Sequence, residues 1–426
     1  MAGKAAKPHT ILLGKIVKKA TVLRGGGSAF PGLFMEKIDP NFIAKSLSQL
    51  PEGVIVISGT NGKTTTTKMV VELLESQGMK VFTNRTGSNF TRGVASSLLE
   101  VVSLKGVLDA DIAVLELDEA HAVHFVRTVK PRYSLLLNVM RDQLDRFGEI
   151  DATAKLLEVI AEATTDTVLV NREDPRLVAV TRGITHAHVE YFGLDSSLLK
   201  DFPSDDDMRA THDSRESTLA ALSVLKSLDT SGATFTLDKK DYHATLKLQG
   251  AYNIYNAAAA LGLVQIVKRN DVNYTALFAS LQQVQPAFGR GETLIVDGNP
   301  LELVLVKNPS GFRLGLSSFA PQGYATMIAI NDNYADGRDM SWLWDVDFDS
   351  LKQEGVSMLS GVRAYDMALR LQYDNVEIGH VTPNLNAGLK DFIAGNKQTP
   401  KRIYCTYTAM LAIRKQLGTI TKVEKI

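Results

Sequence analysis

Residues 54–67 read VIVISGTNGKTTTT: an apolar β-branched run, a glycine-rich turn, then Lys63 and Thr64 at the head of a helix-compatible stretch. A strand, turn and helix of this kind suit a phosphate. Backbone N–H groups of the turn and of the helix start point at anionic oxygens, the Lys63 ammonium neutralises charge, and the Thr64 hydroxyl can ligate Mg2+. The strict phosphate-loop pattern has glycine five residues before the Gly62–Lys63 pair, and this chain has Ile57 there. The loop of Gly59, Thr60, Asn61, Gly62, Lys63, Thr64 and Thr65 is a shortened variant, and it implies a bound nucleoside triphosphate.

Carboxylates follow at the expected places. Glu116 ends the apolar run IAVLE, and a carboxylate at a strand tip beside a phosphate loop can hold Mg2+ directly or through water. Asp118 and Glu119 come next and read either as further ligands or as an exposed acidic turn. Residues 138–148, NVMRDQLDRFG, bring Asp142 and Asp145 to the end of another apolar run. Asp145 fits a turn-capping role and a catalytic one equally well. The single cysteine, Cys405, lies in the run IYCY and reads as a buried strand thiol. It excludes an internal disulfide framework and a multi-cysteine zinc site.

These side chains need a scaffold. From Val54 to about Val170 short apolar strands (54–57, 80–82, 112–117, 133–139, 167–170) alternate with helical stretches such as 66–75 and 151–163. That alternation predicts an α/β fold: a P-loop central domain with a mostly parallel sheet, ligands sitting at the C-terminal strand ends. The segment 195–218 has seven acidic residues against three basic ones and reads as an insert. Residues 234–237 and 244–248 predict a hairpin turning at 238–242, and a helix should run from Asn253 to about Lys268. A second alternating block, with strands at 301–306, 326–330, 356–359 and 402–407, predicts a smaller Rossmann-like α/β domain. The expected domains are a basic N-terminal segment 1–45, the ATP-binding domain 46–295 and a C-terminal domain 296–426.

Composition narrows the class. Of 426 residues 45% are apolar and 22% charged, and 47 basic residues balance 47 acidic ones, so nothing advertises a nucleic-acid partner. No apolar run approaches the roughly 18 residues that span a bilayer, and no signal peptide is visible, which predicts a cytoplasmic protein. Residues 1–35 carry Lys4, Lys7, Lys15, Lys18, Lys19 and Arg24 without one acidic residue. They read as a solvated arm or first helix, or as a segment drawn to an anionic membrane face.

Taken in order, the loop at 59–65, Glu116, Asn138-x-x-x-Asp-Gln-Leu-Asp-x-x-Gly148, Asn171-x-x-Asp174-Pro, Gly250-x-Tyr-Asn-x-x-Asn256 and Phe288-Gly-Arg290 resemble the Mur ligases, a family that includes the folylpolyglutamate synthases. The resemblance covers about 50–292. It implies that ATP phosphorylates a carboxylate and that an amine then attacks the acyl phosphate. It also implies that Lys63 and Thr64 hold the phosphates and the first Mg2+, with Glu116 completing the metal site. Asn253 and Asn256 would flank the adenine, and Arg290 would contact the phosphates. Two features depart from the family. Gln143 stands where most members have a histidine for a second Mg2+, and the 53 residues before Val54 are too few for a UDP-binding domain.

The stretches 84–93, 116–120, 141–149, 306–311, 331–345 and 361–368 resemble more specifically the MurT group, ligase subunits of lipid II isoglutaminyl synthase. That resemblance implies a membrane-bound lipid II substrate and ammonia supplied by a GatD-like class I glutamine amidotransferase. The ligase would lend that partner a carboxylate: Asp345 first, then Asp339. Asp336 falls near the position of the incoming amine. Trp342 and Trp344 read as partner interface or as core. Where many MurT chains carry a four-cysteine zinc ribbon this chain has the acidic insert, so no zinc is expected. Two rivals remain at this point: a stand-alone ligase adding an amino acid, and a nucleotide-dependent scaffold.

Overall fold

The computed structural model describes residues 7–23, 29–84, 89–140, 150–202, 219–229, 232–247, 250–285, 290–319 and 321–423, with the backbone alone at 200, 201, 290 and 291. These fall into two compact units. The first draws on Met1–Val139, Asp151–Lys247 and Asn253–Val284; the second draws on Met140–Ile150, Leu248–Tyr252 and Gln285–Ile426.

The first unit is organised by nine strands: β1 (Val54–Ser58), β2 (Val81–Thr83), β3 (Ile112–Glu116), β4 (Tyr133–Leu136), β5 (Thr167–Asn171), β6 (His188–Leu194), β7 (Ser223–Asp229), β8 (Gly232–Leu237) and β9 (Lys240–Ala244). Their order is β2-β3-β1-β4-β5-β6-β7-β8-β9. Pairing is parallel as far as β7, then antiparallel through β8 and β9. All five residues of β1 are buried, as a central strand covered on both faces requires. Register does the positioning. Ile57 pairs with Glu116, so the tip of β3 stands beside the turn that leaves β1.

The predicted hairpin exists, but its turn is only Asp238 and Lys239, and β9 begins at Lys240 rather than 244. Both turn residues have positive φ (47° and 62°), which matches the twist of a two-residue turn and leaves 240–242 free to pair. β6 and β7 were not expected as strands. In β6 exposed and partly exposed residues alternate before a buried end, which gives a weak apolar signal.

The basic N-terminal segment is packed into this unit. The helices Pro8–Leu23 and Ala29–Ile38 lie on the helix Thr91–Val101, where Lys18 pairs with Glu100 and Arg92 with Glu36 at 2.9 Å.

The second unit has the sheet order β10-β11-β15-β12-β13-β14: β10 (Arg290–Val296), β11 (Asn299–Leu305), β12 (Ala325–Ala329), β13 (Val356–Ser360), β14 (Ile378–Thr382) and β15 (Lys401–Cys405). All neighbours are parallel except β10 and β11. Successive residues feed opposite cores. Val304, Ile328 and Tyr404 join one cluster, while Leu303, Met327, Ile403 and Cys405 join the other. The second unit starts earlier than 296, because β10 hairpins with β11 through Asp297 and Gly298, both at positive φ. In the sequence, the glycine-rich lead-in at 289–291 hid that strand.

Candidate nucleotide site

The phosphate loop leaves β1 and enters the helix Lys63–Ser76. Gly59 has φ +136°, and a Cβ there would lie 3.0 Å from the backbone of Asn138. Gly62 has φ +88°, and its Cβ would meet the Asn256 amide at 2.6 Å. Both positions therefore demand glycine. Asn138 ties the loop down. Its carbonyl accepts from Thr60 N at 3.0 Å, its side chain accepts from Asn61 N at 2.9 Å, and its amide donates to Asn61 O at 3.0 Å. Gly62, at the helix N-cap, provides no side-chain cap, so the helix start presents N–H groups of the kind that bind phosphate.

Lys63 is almost fully buried. It donates to the Gly59 carbonyl and lies 3.2 Å and 3.3 Å from the two carboxylate oxygens of Glu119. Thr64 Oγ1 donates to Glu116 Oε1 at 2.9 Å. Asn84 fixes the backbone of Glu116 from both sides, donating to its carbonyl at 2.8 Å and accepting from its N–H at 3.1 Å. A hydroxyl and a carboxylate held this close are hard oxygen donors of the type Mg2+ takes. Thr65 is buried in the helix, and Asn253 lies in the first turn of the helix Ala251–Lys268. The expected residues Asp142, Gln143 and Asp145 lie outside the described residues, as does the side chain of Arg290.

Asp174 supports the loop from behind. Its carboxylate accepts from Val139 N at 2.6 Å and from Arg176 N and Leu177 N at 3.0 and 3.1 Å, capping the helix Pro175–Thr181. Burial pushes this carboxyl up to about 6, against the pull of the three N–H groups. Tyr255 reaches Asn171 at 2.5 Å, and Asn171 donates to Leu137 O at 2.9 Å. Glu119, Asn84 and Asn138 were not singled out for these roles. Each nonetheless lies in a stretch marked in the sequence: 116–120, 84–93 and 138–148. A cavity lined by Asp166, His188, Arg269 and Tyr274 lies at the N-terminal ends of β5 and β6, away from the phosphate loop.

In the second unit, Asp336 is a buried clamp. It accepts from Thr408 N at 2.7 Å, Thr408 Oγ1 at 2.5 Å and Asn333 N at 3.1 Å, at the C-terminal ends of β12 and β15. Burial raises its carboxyl above the usual range, partly offset by these donors. Asp339 accepts from Ser341 N at 2.9 Å, just ahead of the short helical turn Ser341–Asp345. Asp345 is partly exposed, and its carbonyl accepts from Arg313. The two tryptophans differ in burial. Trp342 is buried near Phe312, whereas Trp344 is half exposed, edge-on to Tyr373 at 5.1 Å and under the Arg370 guanidinium. Tyr365, Leu369 and Tyr373 are exposed along one face of the helix Ala364–Tyr373. Cys405 is fully buried, and burial pushes its thiol far above the ordinary value, so it is no nucleophile.

The Mur ligase middle domain is matched at residues 57–264 and the MurT ligase C-terminal domain at 305–410. Subunit MurT of the lipid II isoglutaminyl synthase (glutamine-hydrolyzing) of Streptococcus pneumoniae is 31% identical, across 94% of each chain. The Staphylococcus aureus subunit is 30% identical, across 86% of this chain and 88% of its own. The MurF ligase of Thermotoga maritima, solved with ADP, shares the fold at a TM-score of 0.68, with 16% identity over 91% of this chain and 83% of its own. The fold and the phosphate loop thus define a Mur-type ligase, of a family that works with ATP. Within it the chain belongs to the MurT group.

Proposed function

We propose that this chain is the ligase subunit of a glutamine-dependent amidating enzyme acting on a lipid-linked cell-wall precursor, lipid II, at the membrane face. The observation that carries the reading is the match to a MurT subunit over 94% of a chain whose own phosphate loop stands beside Glu116.

The first step joins a carboxylate oxygen of the stem-peptide D-isoglutamate to the γ-phosphorus of ATP and breaks the bond to ADP. Ammonia then attacks the acyl carbon and phosphate leaves with one of the original carboxylate oxygens, giving D-isoglutamine. Lys63 and the N–H groups of the helix start stabilise the charge on the transferring group. Thr64 and Glu116 would hold Mg2+, which supplies further charge neutralisation on the phosphates. Asn253, Asn256 and Arg290 would contact the nucleotide, and Asn138 and Asp174 position the loop. Asp336 would hold the 333–336 loop where the amine arrives.

Ammonia must come from outside, since a glutaminase needs an activated cysteine and Cys405 is buried and inert. A GatD-like class I amidotransferase is the proposed source. It would dock on the Trp344–Tyr373 face, with Asp345, or Asp339 beside it, lending a carboxylate to its Cys–His pair. The test is to co-purify the chain with such a partner and assay amidation of lipid II. Glutamine should serve only with the partner present and ammonium without it. Failure with both nitrogen sources sinks the reading, and coupling of a free amino acid instead would favour the stand-alone ligase.

A further inference from the structure

The helix Pro8–Leu23 is apolar on two faces, and the fold covers one of them. Ile11 and Gly14 are buried, and a Cβ on Gly14 would come within 2.6 Å of Met35 and 2.8 Å of Leu99. On the other face Leu12, Leu13, Ile16 and Leu23 are exposed, Ile16 at 56% and Leu23 at 79%. With about 3.6 residues per turn, Leu12, Ile16 and Leu23 line up as one ridge and Leu13 broadens it. Lys19, exposed, borders that ridge on one flank, whereas the Lys15 ammonium turns to the Glu100 carbonyl at 3.4 Å. Lys18 points elsewhere, to Glu100 and the Ser96 carbonyl. Phe30 and Val101, at the ends of the two helices it packs on, are exposed as well.

We propose that this ridge docks on an anionic lipid bilayer, the helix lying in the plane of the headgroups. Exposed aliphatic side chains enter the headgroup boundary while Lys19 meets lipid phosphates. Charge complementarity selects this occupant: residues 1–35 contain no carboxylate, and a protein interface would be poor in lysine at such a patch. Contact would be peripheral, since among the described residues no helix is long and apolar enough to cross a membrane. The purpose of the surface, bringing the enzyme to its substrate, rests on the lipid-linked reading above; the surface itself does not.

The test is co-sedimentation of the full chain with vesicles, without substrate. Phosphatidylcholine–phosphatidylglycerol vesicles should carry the chain down, phosphatidylcholine alone should not, and added salt should release it. Lys19→Gln should weaken partitioning about fivefold. Leu12→Ser with Ile16→Ser should weaken it at least about tenfold, with melting temperature and nucleotide binding unchanged. No binding to anionic vesicles, or equal binding by the double variant, overturns the proposal. So does a dimer that the double variant dissociates while vesicles bind nothing. Ammonium-dependent amidation of detergent-solubilised lipid II, with no bilayer present, is measured in parallel. Failure of the wild-type chain there counts against the proposed function and leaves the docking result standing.

Discussion

The Lys63 ammonium lies 3.2 Å from Oε1 of Glu119, and both side chains are more than nine-tenths buried. Each charge therefore depends on the other. Removing one partner of such a pair costs about 3–5 kcal/mol because the remaining charge is stranded, whereas replacing both is close to neutral. Lys63→Met should lose ATP binding and melt well below the wild type. Adding Glu119→Gln should restore the melting temperature without restoring ATP binding. Calorimetric melts with nucleotide titration check this; a double variant as unstable as Lys63→Met would contradict it.

The Thr64–Glu116 contact predicts a metal phenotype. Thr64→Val or Glu116→Gln should raise the Mg2+ concentration needed for half-maximal turnover and lower kcat about 10²- to 10³-fold, the usual scale for losing one charge-stabilising contact. Turnover measured across a Mg2+ series decides it. An unchanged Mg2+ requirement in both variants would remove Glu116 from the metal site.

Much of this site could be read from residue types. The loop at 59–65 announced itself because glycine at 62 and the Lys-Thr pair serve phosphate chemistry directly, and Glu116 because a charge rarely ends an apolar run by chance. Glu119 could not be read so. Its pairing with Lys63 depends on how the helix Glu119–Thr128 starts beside β1, a tertiary relation with no local signature. Strands with clean apolar runs, such as β1 and β3, were legible. β6 was not, since half its residues face solvent, and β10 merges with a glycine-rich lead-in. The tryptophans show the same limit: spacing two apart in a tight turn left both roles open, and packing shows Trp342 buried and Trp344 half exposed.

Asp174 gives a pH prediction. Its folded value, about 6, lies above the ordinary 3.8. The folded state thus holds this proton more tightly, so the associated stability is complete below about pH 4 and is lost as pH rises through about 6. Asp174→Asn removes the titration. The wild-type melting temperature minus that of the variant should fall between about pH 4 and 6 and then level off. A difference that stays constant, or grows, across that window would contradict the assignment.

The half-exposed Trp344 and the partly exposed Asp345 predict a split by nitrogen source. Trp344→Ala should weaken the complex with the amidotransferase by about 2 kcal/mol or more, as central aromatic anchors do. Asp345→Asn should lower glutamine-dependent amidation, and neither change should touch ammonium-dependent amidation. Equal losses with both nitrogen sources would mean these residues serve the ligase fold, not a partner.

Carboxylate activation by ATP is the central claim, and oxygen transfer tests it most directly. Lipid II labelled with 18O in the D-isoglutamate α-carboxylate is incubated with ATP, Mg2+ and ammonium, and the released phosphate is analysed by mass spectrometry. One 18O should appear in inorganic phosphate for each amide formed, alongside ADP. Amide formed with unlabelled phosphate, or with AMP and pyrophosphate as products, would contradict the account.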